Sequence, residues 1–339
     1  MNTITDNMHD VRIHFIRKGL VKMKVSVIIC TYSMERYNDL LETVNSIMMQ
    51  TYPNIEIIVS IDNNEKMLYR LKEIFRSGFK IITNNKKKGL SDTRNAGISV
   101  ATGDIIAFID DDAIADKEWV NNIVCSYEDE NIVAVGGRLI PIWTKERPKW
   151  FPPELDWVVG CTYKGHPEIK TQVRNLIGCN MSFRREVIVN EEIYFSAEIG
   201  RIDKIPLGCE ETLFCIKLKN ANNRYEIIYS PDAIVFHKVV KYREKISYVL
   251  KRCFYEGISK AVMNKNNHSG NMLAKLEGNY LKFLIFKSMT NYFYNSLILR
   301  NPFSNTKKLL VLIVSIVFVI SGYACKNATL AFCMTKHRL

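Results

Sequence analysis

Nine cysteines are spread over the 339 residues, at positions 30, 125, 161, 179, 209, 215, 253, 325 and 333, and no two form a CxxC pair. Neither a zinc site nor a compact disulfide framework is therefore encoded. Reduced thiols in a cytosolic domain are the expectation. The first residues, "MNTITDNMHDVRIHFIRKGL", are polar and hold no apolar stretch of the required kind, so they are not expected to act as a secretory signal. There is no internal repeat and no low-complexity tract. Acidic residues are the minority, 35 Asp and Glu against 47 Lys and Arg, a net charge of +12. Such an excess favours anionic partners: nucleotide phosphates, nucleic acid or an acidic membrane face.

What is present is an alternation. "KVSVIICTYS" is a β-branched run ending in small polar residues, the pattern of a buried parallel strand entering a loop. "RYNDLLETVNSIMMQTYP" follows, with Leu40, Leu41, Val44, Ile47 and Met48 at helical spacing and a stop before Pro53. Strand "IEIIVSIDNN", helix "KMLYRLKEIFRSG" with Gly78 as its stop, strand "KIITNN", helix "GLSDTRNAGISVAT" and strand "DIIAFIDDD" complete four repeats of the alternation. This predicts an α/β fold with an open, mostly parallel central sheet, right-handed crossovers and flanking helices. Ligands of such sheets collect beyond the carboxyl ends of the strands. Thr31, Tyr32, Asp62, Asn84, Asn85 and Asp110 to Asp112 are thereby placed along one edge.

Three adjacent carboxylates repel one another, so Asp110, Asp111 and Asp112 need water or a cation. Hard cations such as Mg2+ and Mn2+ take oxygen ligands and commonly use one or two carboxylates together with substrate phosphates. Asp110 and Asp112 fit that use; a solvated turn in which Asp112 caps the helix "IADKEWVNNIV" fits equally well. Glu210 and Glu211 open a second acidic site ahead of a helix, either as a general base or as simple complement to the helix dipole. His237 follows another apolar strand, where a structural role competes with a chemical one.

"VSVIICTY", "GLSDTRNAGI" and "GDIIAFIDDD" occur in this order and at these separations, and as a set they resemble the family-2 glycosyltransferases, which carry the GT-A nucleotide-diphospho-sugar fold. The resemblance covers about residues 24–240. It implies that Thr31, Tyr32 and Asp62 hold the nucleoside and that Arg94, with Lys88 as a further cation, lies near the diphosphate. It further implies that Asp110 and Asp112 bind Mn2+ or Mg2+, with His237 completing the metal site, and that Asp111 faces the sugar or ribose. Family members carry a Glu-Asp pair where this chain has Glu210 and Glu211, so one of these is the implied base of an inverting transfer, with Glu211 in the second place. "IGCNMSFRRE" resembles the segment beneath the acceptor, which assigns Asn180, Phe183 and Arg184 to its lining. "GGRLIPIW", "CEETLFCIKL" and "FHKVVKYREKISYVLKRCFYEGISKA" look most like the membrane-associated glucosyl-dolichyl-phosphate glucuronosyltransferases and their relatives. This implies a nucleotide-sugar donor, UDP-linked by expectation, and a lipid-linked or saccharide acceptor in glycan biosynthesis.

Residues 1–23 read as an N-terminal extension, 24–125 as the nucleotide-sugar half of the catalytic domain and 126–240 as its acceptor half. A basic, amphipathic helical region follows at 241–306, then a transmembrane or membrane-embedded helix at 307–326 and a tail at 327–339. Leu309 to Cys325 is free of charge, at the lower edge of what crosses a bilayer. "YLKFLIFKSMTNYFYNSLILR" has the composition of a helix lying in the interface. The expectation is an enzyme on the cell membrane, its catalytic domain cytoplasmic, with no nucleic-acid partner. Two other readings stay open. A nucleotidyltransferase would need a glycine-rich loop after the first strand, and "CTYSMERYND" has no glycine. A non-catalytic surface binder would need basic residues clustered with aromatics and no acidic crevice.

Overall fold

In the computed structural model, residues 23–75, 78–84, 89–196, 208–266 and 278–336 are described. Asn85, Lys88, the N-terminal extension up to residue 22 and the last three residues lie outside them. The chain divides into two compact units. One comprises Met1–Leu139, Glu168–Ala197 and Phe214–Phe236, the other Ile140–Pro167, Glu198–Leu213 and His237–Leu339.

The first unit is built on β1 (Val25–Thr31), α1 (Tyr37–Met48), β2 (Ile55–Asp62), α2 (Glu65–Ile74), β3 (Phe79–Asn84), α3 (Leu90–Val100) and β4 (Ile105–Asp110). Strand order is β3-β2-β1-β4, every pair parallel, with Thr31 beside Ile61, Asp62 beside Asn84 and Cys30 beside Asp110. The cause is legible in the side chains. Val25, Val27, Ile28 and Ile29 have no exposed surface, and burying each contributes about 1.5–3 kcal/mol. Leu40, Val44 and Ile47, spaced by four and three residues, give α1 its buried stripe. Asn64 caps α2 by accepting from the Met67 amide at 3.0 Å. Gly97 lets α3 lie close on β1, since a Cβ there would come within 2.6 Å of Ile28 Cγ2.

Beyond β4 the sheet changes character. Short β5 (Ala113–Ala115) and α4 (Trp119–Ser126) lead into β6 (Ile132–Trp143), and β7 (Thr171–Gln172), β8 (Met181–Arg184), α5 (Arg185–Asn190), α6 (Glu210–Ala221) and β9 (Glu226–Val239) follow. Sheet order continues β4-β8-β6-β9-β5, with β7 on β9, and β8 runs antiparallel to both β4 and β6. Where periodicity weakens after residue 125, the structure has a twelve-residue strand, β6. Its run "IVAVGGRLIPIW" is buried on both faces at first, so no alternation marks it. The helix over "IADKEWVNNIV" begins only at Trp119, after β5, with Glu118 at its cap position. Asp112 therefore does not cap it.

In the second unit a loop with a tight helical turn at Pro153–Val159 precedes α7 (Ile246–Asn266), a π-helical turn at Leu284–Met289, α8 (Thr290–Leu297) and the long α9 (Pro302–Lys336). The apolar run from Leu309 to Cys325 lies wholly inside α9. By length and composition Pro302–Ala328 is able to cross a membrane.

Candidate active site

Parallel strands that stop together leave their last side chains along one rim. In the first unit that rim carries Thr31 from β1, Asp62 from β2, Asn84 from β3 and Asp110 to Asp112 from β4. Ser33 turns the chain after β1 by accepting from the Glu35 amide at 3.2 Å. That turn delivers Arg36 to the acidic cluster. Its Nη1 donates to Asp111 Oδ1 at 2.8 Å and to Asp112 Oδ2 at 2.6 Å. Tyr32, half exposed, lies against the same guanidinium, which stands 5.5 Å from its ring centre. Sequence reasoning missed Arg36; its signal was an arginine four residues after the Thr31-Tyr32 pair, in the loop that faces β4.

The three carboxylates are not equivalent. Asp110 is about one-third exposed and sits 4.0 Å from Arg94 Nη2, whereas Asp111 and Asp112 are buried. Burial pushes the Asp111 carboxyl up to about 6, with Arg36 opposing the shift and Asp112 adding to it. The Thr31 hydroxyl also acts on this carboxyl as a hydrogen-bond partner, lowering its pKa. Three carboxylates at one strand end, one of them part-exposed, are a donor set suited to a hard divalent cation.

Arg94 is buried on α3, its guanidinium 5.2 Å from the Phe195 ring centre. Asn95 holds that segment from both sides, donating to Phe195 O at 2.9 Å and accepting from its amide at 3.0 Å. Asp62 accepts from the Gly89 amide at 3.1 Å, at the start of α3. Cys30, beneath this rim, has its thiol pushed up to about 12, chiefly by burial.

The segment expected beneath the acceptor carries Asn180, Phe183 and Arg184. Asn180 is fully buried, and its side chain accepts from Trp119 Nε1 at 2.9 Å while donating to Ala233 O at 2.8 Å and Arg138 O at 3.2 Å. Those bonds occupy both donors, so Asn180 ties β6, β9 and α4 together. Phe183 is core, packed edge-on against Phe108 and against Phe214. Arg184 likewise serves the fold, donating to Ile132 O and Asp129 O at 2.9 Å each.

The remaining candidates belong to the second unit. Glu210 and Glu211 open α6, the first buried and the second half-buried. Cys209 just before them adopts φ of +76°, a left-handed conformation costly for a non-glycine residue. Strain at the threshold of an acidic helix start is a mark of functional sites that no sequence pattern displays. Nearby, Arg252 Nη1 pairs with Glu256 Oε2 at 2.8 Å. His237 is buried on β9 with Nδ1 3.8 Å from Cys161 Sγ. Trp143 packs on Phe151 and under Arg147, and Trp157 lies against Arg252.

A mixed sheet whose parallel half carries an acidic rim defines the class of nucleotide-sugar-dependent GT-A folds, and the comparisons agree. The model of the family described as "Glycosyl transferase family 2" matches residues 26–190. A glucosyl-dolichyl phosphate glucuronosyltransferase of Haloferax volcanii is 38% identical over 245 residues, covering 71% of this chain and 78% of that protein. An uncharacterized glycosyltransferase of Haemophilus influenzae is 39% identical over 267 residues, 71% of this chain and 77% of that one. Among solved structures, a mannosyltransferase of Pyrobaculum calidifontis in complex with GDP-Man and Mn2+ superposes with a TM-score of 0.54 at 15% identity, covering 99% of this chain and 90% of that one. TarS 1-349 of S. aureus in complex with UDP gives 0.51 at 16% identity, covering 89% of each. The chain belongs to glycosyl transferase family 2.

Proposed function

We propose that this protein is an inverting, metal-dependent hexosyltransferase that takes a sugar from a UDP-linked donor and passes it to a lipid-linked acceptor at the cytoplasmic face of the cell membrane. The observation that carries the reading is the rim of β1, β2 and β4, where a part-exposed Asp110, 4.0 Å from Arg94 Nη2, stands beside the buried Asp111 and Asp112. Thr31, Tyr32 and Asp62 hold the nucleoside, and Arg94 supplies positive charge to the diphosphate. Asp110 and Asp112, with His237, are the residues to hold Mn2+ or Mg2+. When bound, the ion neutralises the diphosphate and so stabilises it as leaving group.

Glu211 removes the proton from the acceptor hydroxyl as that oxygen bonds to the anomeric carbon, and the diphosphate departs from the opposite face with the bonding electrons. The acceptor class is supported by the likeness to the Haloferax enzyme, whose name specifies a dolichyl phosphate-linked sugar. The donor class is supported by the fold shared with a UDP complex. Transfer from a panel of nucleotide sugars, with and without Mn2+, tests the proposal. Turnover should require the dication and should fall by about 100-fold or more in Asp112→Ala. Full turnover without metal would overturn it.

A further inference from the structure

The long apolar helix α9 is measured by two competing geometries: a span perpendicular to the bilayer, or a helix lying along its surface. Which one applies is decided by what covers its sides. Ser304 Oγ donates to Lys149 O at 2.8 Å, Thr306 Oγ1 to Ser296 Oγ at 3.2 Å, and Lys308 Nζ sits 5.8 Å from the Tyr292 ring centre. Further along, α9 meets α7 almost backbone to backbone. A Cβ on Gly257 would fall 2.0 Å from Val319 O, and one on Gly322 would fall 2.0 Å from Phe254 O. From Ser304 to Tyr323 the helix is therefore fastened to its own unit for about 29 Å, nearly a full hydrocarbon thickness.

The other side is bare. Leu310, Ile313, Val314, Val317 and Ile320 are exposed and recur at helical spacing on one face, while Val311, Leu312, Ser315 and Gly322 are buried on the opposite one. Phe286, Phe293, Leu297, Leu299 and Phe303 add more exposed apolar surface in the preceding segment. That segment is pinned to the fully buried Glu154, whose carboxylate accepts from Tyr292 at 2.9 Å and whose carbonyl accepts from the Tyr280 hydroxyl.

Charge fixes the partner. From Gly278 to Leu339 there is no Asp or Glu, whereas Lys282, Lys287, Arg300, Lys307, Lys308 and Lys326 are all present. Lys149 and Lys307 line, with Phe303 and Ser304, one open pocket of about 290 Å³. A surface that is apolar, basic and free of carboxylates complements an anionic lipid leaflet.

We infer that α9 and the segment before it lie in the plane of an anionic membrane surface, embedded by the exposed face of α9, and do not cross it. A span would draw α7 along with α9, and with it the ion-paired Arg252, Glu256 and Lys260 toward the hydrocarbon, where ionisable side chains are unfavourable. The inference deepens the membrane placement proposed above, and its physical basis is independent of the transfer reaction.

The test uses the full chain bound to phosphatidylcholine vesicles with and without phosphatidylglycerol. Nitroxides are placed one at a time at Leu310→Cys, Ile313→Cys, Val317→Cys and Ile320→Cys after Cys325→Ser and Cys333→Ser. All four should report one shallow depth; a depth that rises to the midplane and falls again would overturn the inference. Binding should need phosphatidylglycerol and weaken at least about tenfold in Lys149→Glu/Lys307→Glu. Equal binding of that variant, or of neutral vesicles, would overturn the lipid assignment. UDP affinity, measured calorimetrically on the same samples, keeps the two readings apart: failure to bind vesicles with UDP binding intact sinks only the membrane geometry, and the converse sinks only the transferase reading.

Discussion

Arg36 Nη1 lies 2.8 Å from Asp111 and 2.6 Å from Asp112, one guanidinium nitrogen shared by two buried carboxylates. Neighbouring anions out of water are tolerable only while that cation stands between them. Arg36→Ala should therefore destabilise the fold by about 3 kcal/mol, more than an exposed ion pair is worth. Urea unfolding of the variant against wild type measures this, and a loss under about 1 kcal/mol would mean that Asp111 and Asp112 are screened by something else.

The same pair predicts a pH dependence. Asp111 titrates at about 6 in the folded chain against 3.8 for the free side chain. Between those values the folded state holds a proton that the unfolded chain has released, so this group's contribution to stability is present below about pH 4 and is lost as pH rises through 6. Asp111→Asn should remove that loss. The check is the difference between wild-type and variant melting temperatures from pH 4 to 8, expected to grow in the variant's favour as pH rises.

Glu56 makes the opposite case. It accepts from Ser26 Oγ at 2.6 Å and pairs with Lys80 at 2.7 Å and Lys24 at 3.2 Å. Although burial alone would raise its pKa, the bonds from Lys80, Ser26 and Thr102 hold it well below the usual carboxylate range. Its contribution is thus present above about pH 4.5 and lost as pH falls further. Glu56→Gln should cost about 1–2 kcal/mol at neutral pH and flatten the acid limb of the stability profile. Denaturation midpoints at pH 3, 4, 5 and 7 would show it.

Glu210 and Glu211 separate by kinetics. Glu211→Gln should lower kcat by about 100- to 10,000-fold while leaving the donor's Kd unchanged. Glu210→Gln, at a buried position, should act chiefly on stability. Reversal of the two effects would move the base to Glu210.

Asn180→Ala should cost about 2–3 kcal/mol, since it strands the Trp119 indole N–H and two backbone carbonyls. KM for the acceptor should be unchanged in the folded fraction. A raised KM at unchanged stability would restore Asn180 to the acceptor site.

These residues show what a sequence displays and what it conceals. Strands β1 to β4 and their helices were legible because β-branched apolar runs alternate with helical segments in sequence order, and the rim followed from strand ends alone. Asp62 and Asp110 are placed by those strand ends, whereas Arg94, on α3, could be named only through the family resemblance. Arg36 was hidden because its partner lies 76 residues away and a loop arginine carries no periodicity. The three internal partners of Asn180 were hidden because they come from three separate elements, and a polar residue next to a strand looks the same whatever it faces. The strain at Cys209 is a backbone angle, and no residue type announces it in a non-glycine position.

The glycine contact between α7 and α9 bears on how the enzyme is handled. Shortening the chain before Pro302 to gain solubility would strip the cover from Phe254 and Gly257 and leave a new sticky surface in its place. Such a fragment should aggregate, whereas the intact chain should remain dispersed in mild detergent.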